Sequence, residues 1–385
     1  MGMRIGINAQ LCSPSLSYRN AGVSRYISNL VRALGELDDA GCDIHLFLPA
    51  GCENETCTRH NVHRRSWQGE GPAARIAWEQ FVLPVLSRTL RLDVLHSPMH
   101  VLPVVCPTAS VVTVLDLTFM RYPEAFPRHQ RMYLEYATRR AVAKADAVIA
   151  ISDCTRADVI NQLHGDPDRV FTIPLAADDS FRPATVKEVA EIRRRYGVGE
   201  TSVLYLGTLE PRKNIPALLE AFRQVRTDHD GDCRLVLGGG KGWYYRDVFR
   251  RVEELGLKDD VVFTGYVSQE DLPVLYSSAT VFVYPTLYEG FGLPPLEAMA
   301  CGTPVITSNT SSLPEVVGDA GVMVNPLSVD EISQAIHTVL SREDLRREMS
   351  AAGLERAKRF SWKETAGQTL KVYASAYERS RRRRP

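Results

Sequence analysis

Short apolar runs alternate with amphipathic stretches along most of the 385-residue chain. Residues 3–9, MRIGINA, read as a buried strand. Residues 22–37 then set Val23, Tyr26, Ile27, Leu30, Val31, Leu34 and Leu37 on one helical face. Further strand-like runs follow at IHLFLP, DVLHS, SVVTVL, DAVIAI and RVFTI, with helical stretches at 128–144 and 153–164 between them. Alternation of this kind predicts βα units wound around a parallel sheet.

The periodicity stops in a polar, proline-containing segment, IPLAADDSFRPA, at 173–184, which reads as a linker centred on 176–184. It then restarts. The runs SVLYLG, CRLVLGG, DVVFTG, ATVFVYP and PVI alternate with predicted helices at 214–227, 244–255, 268–276 and 295–301. Two doubly wound α/β domains result, at 1–175 and 185–361, and a last helix at 362–380 is expected to cross back and complete the first. The length agrees, because single cores stop growing near 250–300 residues. Open α/β sheets bind ligands outside the carboxyl ends of their strands, so two such sheets facing each other would line a cleft with strand-end loops.

Composition narrows the classes of partner. The chain is 44% hydrophobic and 24% charged with a formal net charge of zero, so no basic half exists to follow a nucleic acid backbone. Its eight cysteines lie apart from one another without CxxC or Cys/His pairing, which reads as reduced thiols in a cytoplasmic protein. Cys52 and Cys57 alone are near enough in sequence to loop together. No apolar run approaches the 18 residues of a membrane span, and the start of the chain has no signal-peptide apolar region.

Candidate chemistry is concentrated in residues 284–306, YPTLYEGFGLPPLEAMACGTPVI. A strand delivers a glycine-containing loop and then a short helix, with Pro294 and Pro295 near its start and Gly302 beyond its end. The free N–H groups before that helix belong to Gly290, Phe291, Gly292 and Leu293, an arrangement suited to an anion. Glu297, expected in the first helical turn, would suit a ribose diol; alone, it would equally serve to complement the helix dipole. Glu289 stands at the strand end. A second segment, YLGTLEPRKN at 205–214, also joins a strand to a helix and sets Arg212 beside Lys213. A planar guanidinium next to a compact ammonium suits a diphosphate.

Together, EPRKN and EGFGLPPLE resemble the nucleotide-sugar glycosyltransferases of family 4, and the two glutamates match that family's E-x7-E motif. The similarity runs through AGVSRYISNLVRAL, LHSPMHVLP, VVTVLDLTFMRYPEAFP, ADAVIAISDCTRADVI, IPLAADDSFRP and TSNTSSLPEVVGDAG, and is greatest to the mannosyltransferase-B-like subgroup that builds bacterial polysaccharide chains. The resemblance implies a GT-B fold, two facing Rossmann-like domains with a nucleotide-sugar cleft between them, the first binding the acceptor and the second the nucleotide-sugar donor, and a retaining enzyme that needs neither metal nor cofactor. It implies that Arg212 and Lys213 bind the donor diphosphate, that Glu297 holds the ribose, and that Glu289 lies beside the transferred sugar. Amides of Phe291, Gly292 and Leu293 would touch sugar and diphosphate, the backbone near Val267 the base, and Gly22 would let the first helix approach the phosphates. GDP-mannose is the first donor it suggests, with a saccharide or lipid-linked acceptor.

One position departs from the pattern. The family's histidine before the strand-end aspartate is Leu115 here, followed by Asp116, counted with Glu289, Arg212 and Lys213 among the catalytic candidates. His96 and His129 are candidates to replace it, or the donor sugar carries an apolar group there. Two Asp-x-Asp matches, Asp166–Asp168 and Asp228–Asp230, fall in polar turns and are not read as metal sites. The terminal ERSRRRRP is expected to be a solvated disordered tail. Its sharper reading is a patch for anionic lipids, helped by Arg139, Arg140 and Lys144, which would set a cytoplasmic enzyme at the inner face of a membrane. An epimerase or hydrolase of nucleotide sugars, and a catalytically degenerate nucleotide-sugar binder, remain the alternatives at this point.

Overall fold

The computed structural model describes residues 2–12, 21–37, 41–49, 60–64, 71–228, 233–240 and 245–383. The chain forms two compact units, one of residues 1–175 with 362–385 and one of residues 176–361. Cys52, Cys57 and Asp230 lie outside the described residues.

The first unit is built on a seven-stranded parallel sheet: β1 (Arg4–Asn8), β2 (Asp43–Leu48), β3 (Asn61–Arg64), β4 (Val94–Ser97), β5 (Ala109–Val114), β6 (Ala147–Ala150) and β7 (Val170–Thr172). The spatial order is β3-β2-β1-β4-β5-β6-β7. Every residue of β4, β5 and β6 is buried, as strands covered on both faces by helices require. Val112, Val114 and Val148 pack there against Ala141, Val142 and Val159 from flanking helices.

The helix Trp362–Arg383 returns from the far end of the chain to pack on the helix Ala21–Glu36 and on β5. A buried polar thread fastens it. The Tyr373 hydroxyl and His96 Nδ1 are 2.7 Å apart, His96 Nε2 and Thr113 Oγ1 2.8 Å, and Thr113 Oγ1 and the Tyr26 hydroxyl 3.0 Å. The arginine run departs from the disordered tail expected of it. The helix continues to Arg383, whose guanidinium reaches Asp146 at 3.3 Å, while Arg379 donates to the Asp168 carbonyl. These anchors offset the mutual repulsion of the basic side chains. Arg139 and Arg140 are engaged as well, donating to the carbonyls of Gln162 and Val104. No described helix is long and apolar enough to cross a membrane.

The second unit holds a six-stranded parallel sheet: β8 (Thr201–Leu206), β9 (Cys233–Gly238), β10 (Val261–Gly265), β11 (Val281–Tyr284), β12 (Val305–Ser308) and β13 (Val322–Val324). Its order is β10-β9-β8-β11-β12-β13. Central strands β8 and β11 carry Tyr205, Phe282 and Tyr284, whose rings stack with centroids 5.7 to 5.8 Å apart. The tyrosines at these positions bring hydroxyls to the carboxyl end of the sheet, where the chemistry described below begins.

At that same end the backbones of two strand exits nearly touch. Gly207 N–H donates to the Gly238 carbonyl at 2.9 Å. Gly239 adopts φ 137°, and a Cβ built on it would lie 2.1 Å from the Gly207 carbonyl oxygen. Both the dihedral and the contact exclude a side chain there. Gly239→Ala is expected to destabilise the protein by about 1–3 kcal/mol or more, the cost of one strained backbone position, read as a lower unfolding midpoint on thermal melting.

Candidate active site

The site of the second unit is assembled from the exits of its two central strands. After β8 the chain passes through a single 3-10 turn, Pro211–Lys213, and into Asn214 with φ 57°. Asn214 tolerates this left-handed conformation and uses its side-chain amide to donate to the carbonyls of Pro285, at 3.1 Å, and Pro326, at 2.6 Å. The Arg212 carbonyl accepts from the Leu287 N–H at 2.8 Å and from the Thr286 hydroxyl at 3.0 Å. Two loops distant in sequence are thereby locked together.

The lock turns the two cations inward. Lys213 is 6% exposed, so it is no solvated surface lysine. Its ammonium donates to the Tyr284 hydroxyl at 2.7 Å and to Glu289 Oε1. Arg212 lies 3.0 Å from the same Oε1 and 2.8 Å from Glu210 Oε1, and also donates to the Tyr288 carbonyl. The Tyr284 and Thr286 hydroxyls complete the set on Glu289 Oε1, at 2.9 and 3.1 Å. Every described contact of this carboxylate thus falls on one oxygen, and no described residue bonds Oε2. Burial opposes ionisation of Glu289, but Arg212, Lys213 and the hydrogen bonds outweigh it and hold the carboxyl at about 2. Burial and the neighbouring Arg212 push the Lys213 ammonium below the usual lysine range, while Glu289 and Glu210 hold it up.

The loop after Glu289 is bracketed from β12. Glu289 N–H donates to Ser311 Oγ at 3.1 Å, and Ser312 Oγ donates to the carbonyls of Glu289 and Phe291. The Phe291 ring packs edge-on against Phe360. Gly292 caps the helix Leu293–Ala300 with φ 112°. The amides of Phe291, Gly292 and Leu293 donate to no described residue. Glu297 falls beyond the first turn expected of it, two positions deeper in the helix, because the helix starts at Leu293. It is 2% exposed, and its Oε2 accepts from the Tyr276 hydroxyl at 3.0 Å. Val267 is buried just beyond β10, next to the space over Gly238.

Other candidates belong to the first unit. Gly22 lies exposed in the first turn of its helix, and a Cβ there would meet nothing within 4 Å. Asp116 follows β5, half-buried, and accepts from the Thr118 N–H at 2.8 Å. His96 is no stand-in for the histidine expected at Leu115: both ring nitrogens are occupied in the thread described above, and burial pushes it down to about 3. His129 is exposed at the start of the helix Arg128–Lys144. The histidine beside Asp116 is His100, which the sequence reading missed. It is 5% exposed, adopts φ 34°, and its Nδ1 has no hydrogen-bond partner among the described residues. Burial lowers its pKa, and the Asp116 charge opposes this. Its position one loop after β4 was a usable signal. Of the Asp-x-Asp matches, Asp166 is spent on the Asp168 N–H and on Arg169.

Comparison with known proteins now decides the family. Residues 20–181 match the family Glycosyltransferase Family 4, and residues 189–356 match Glycosyl transferases group 1. The O-antigen chain mannosyltransferase B of Escherichia coli is 39% identical over 280 residues, 72% of this chain and 73% of that protein. The chain is a family 4 glycosyltransferase. A GDP-mannose-dependent alpha-(1-6)-phosphatidylinositol monomannoside mannosyltransferase of Mycobacterium tuberculosis is 33% identical over 56% of this chain, and the match spans 58% of that protein, under two thirds of its length. Among solved structures, the sucrose-phosphate synthase of Thermosynechococcus elongatus has a TM-score of 0.76 at 23% identity, covering 98% of this glycosyltransferase and 99% of that chain. That likeness bears on the fold, which is GT-B.

The ion cluster has a signed acid dependence. The Glu289 carboxyl is depressed when folded, so its stabilisation is full above the unfolded value near 4.5 and is lost as pH falls towards 2. Glu289→Gln is expected to unfold more easily at pH 7 by about 3–5 kcal/mol, since it leaves buried cations without their counter-charge. Thermal melts should show that gap closing between pH 4.5 and 2.

Proposed function

We propose that this glycosyltransferase moves a hexose from a nucleotide diphosphate to a saccharide or lipid-linked acceptor in polysaccharide or glycoconjugate synthesis. The reading includes retention of the anomeric configuration and no requirement for a metal, with GDP-mannose as the first donor to test. The observation that carries it is the cluster of half-buried Arg212 with buried Lys213 and Glu289, beside three amides that no described residue engages. The names of the mannosyltransferase relatives, one of them GDP-mannose-dependent, support the choice of donor.

On this reading the donor's β-phosphate shares Arg212 and Lys213 with Glu289 Oε1, and the amides of Phe291, Gly292 and Leu293 take the remaining phosphate oxygens and the sugar. Preorganised donors at a developing oxyanion are the largest stabilisation open to such a site. Glu289 Oε2 accepts from a hydroxyl of the transferred sugar. Glu297 accepts from the ribose, the backbone at Val267 meets the base, and Gly22 leaves its helix start open to phosphate. The acceptor oxygen bonds the anomeric carbon on the face from which the phosphate departs, and the acceptor proton passes to that phosphate. Asp116 with His100 is the first unit's polar pair for acting on a hydroxyl.

Release of nucleoside diphosphate from a panel of nucleotide sugars, with and without saccharide acceptors, tests the reading, and the anomer formed is read by NMR. GDP should raise the melting temperature more than UDP, since a ligand at a hundred times its Kd adds about 2.7 kcal/mol. Lys213→Met and Glu297→Ala should each weaken GDP binding at least about tenfold, the scale of one charge-assisted hydrogen bond. Unchanged affinity in both would remove the site assignment. His100→Gln is expected to lower kcat with little change in the donor KM, and an unaltered kcat would exclude His100.

A further inference from the structure

Large apolar side chains stand open to solvent on one face of the first unit. Phe81 and Val85 lie on the helical stretch 72–89, Val104 and Val105 on the segment after β4, and Met132 and Tyr136 on the helix Arg128–Lys144. Each is more than half exposed, Phe81 at 75% and Tyr136 at 69%. Elsewhere among the described residues such side chains are open singly, at Val186, Tyr266 and Leu327 of the second unit. Scattered exposure is ordinary on a protein surface, whereas a contiguous patch marks an interaction.

Hydrogen bonds tie the three elements into one surface. Gln80, beside Phe81, accepts from the Val104 N–H at 2.7 Å and donates to the Leu102 carbonyl at 3.4 Å. Arg140, one turn beyond Tyr136, donates to the Val104 carbonyl at 2.6 Å and to that of Pro103 at 3.5 Å. The two valines are thereby held between the helices. The stretch 72–89 contributes through a π turn, Trp78–Val82, of a kind that is rare and recurs at functional sites. Within it Trp78 and Glu79 are buried, Trp78 against Phe47 and Glu79 accepting from the Asn8 amide at 3.1 Å, while Phe81 and Val82 are exposed. The surface is formed before a partner arrives, which lowers the ordering cost of association.

Size and composition point to a protein partner. Six such side chains present on the order of 600 Å², the limit of what monomers leave open and most of the roughly 800 Å² that each side of a standard interface buries. Phenylalanine, tyrosine and methionine are enriched in interface cores. A bilayer is the other surface such a face could meet, and stable anchoring there takes open cations beside the apolar side chains. Arg140 is turned instead to the two carbonyls named above, Arg139 to Glu135 and the Gln162 carbonyl, and the chain carries a formal net charge of zero. A second copy of the chain brings an apolar face of the same extent. Two such faces meeting about a two-fold axis cover each other, and assembly stops at two.

We propose that this face joins two copies of the chain in a two-fold symmetric dimer, with Phe81 and Tyr136 as its anchors. Sedimentation of the full-length protein over a concentration series tests it, alongside flotation with vesicles of phosphatidylglycerol and phosphatidylethanolamine. Wild type should sediment at twice the mass of one chain. Phe81→Glu and Tyr136→Glu should each raise the dimer dissociation constant at least about tenfold, as loss of an aromatic anchor does. Both side chains are exposed, so the far-UV circular dichroism of the variants should match wild type. The wild-type melting temperature should rise with protein concentration, and the double variant should lose that dependence. A wild type that stays monomeric, or a dimer that both variants leave intact, would overturn the proposal. A monomer that floats with the vesicles and stops doing so on Phe81→Glu would overturn it too, and would give the face to lipid. Should one variant fail to fold, the other carries the comparison.

Discussion

One carboxylate organises the working end of the second unit. Glu289 brings together the exits of β8 and β11 because Oε1 takes Lys213, Arg212 and two hydroxyls at once. Removed from water, two cations side by side would repel each other and pay a desolvation cost that no packing offsets. With Glu289 and Glu210 present, the four charges sum to zero and can be buried. The same arrangement keeps the cations oriented without solvent.

The surroundings serve that cluster. Tyr284 stacks in the core with Tyr205 and Phe282 and offers only its hydroxyl to the ions. Asn214 and the Arg212 carbonyl hold the two loops in register, and Ser311 and Ser312 brace the segment that follows. The first unit solves a different problem with similar chemistry. There the buried thread through His96 spends its polar groups on the returning terminal helix. Among the described residues, Gln10 Oε1 and His100 Nδ1 find no hydrogen-bond partner.

Much of the architecture was legible because parallel strands buried on both faces must be continuous apolar runs, and their covering helices must be amphipathic. Runs such as SVVTVL and VFVY announced β5 and β11 for that reason. The short strands β3 and β13 had no such contrast with their neighbours and were missed. Glu289, Glu297, Arg212 and Lys213 stood out because charged residues at strand exits are hard to explain by folding alone. Glu79 did not: nothing in a linear pattern marks the π turn that redirects a single side chain.

Local order was therefore written in the sequence: which segments are strands, where glycine must stand, and which charged residues lie at the ends of strands. These follow from dihedral preference and the period of burial, both properties of neighbouring residues. Only the tertiary structure decided which charges neutralise one another. Lys213 and Glu289 are 76 positions apart and Asn8 and Glu79 are 71. Their pairing depends on strand order and loop closure, which no stretch of neighbouring residues determines.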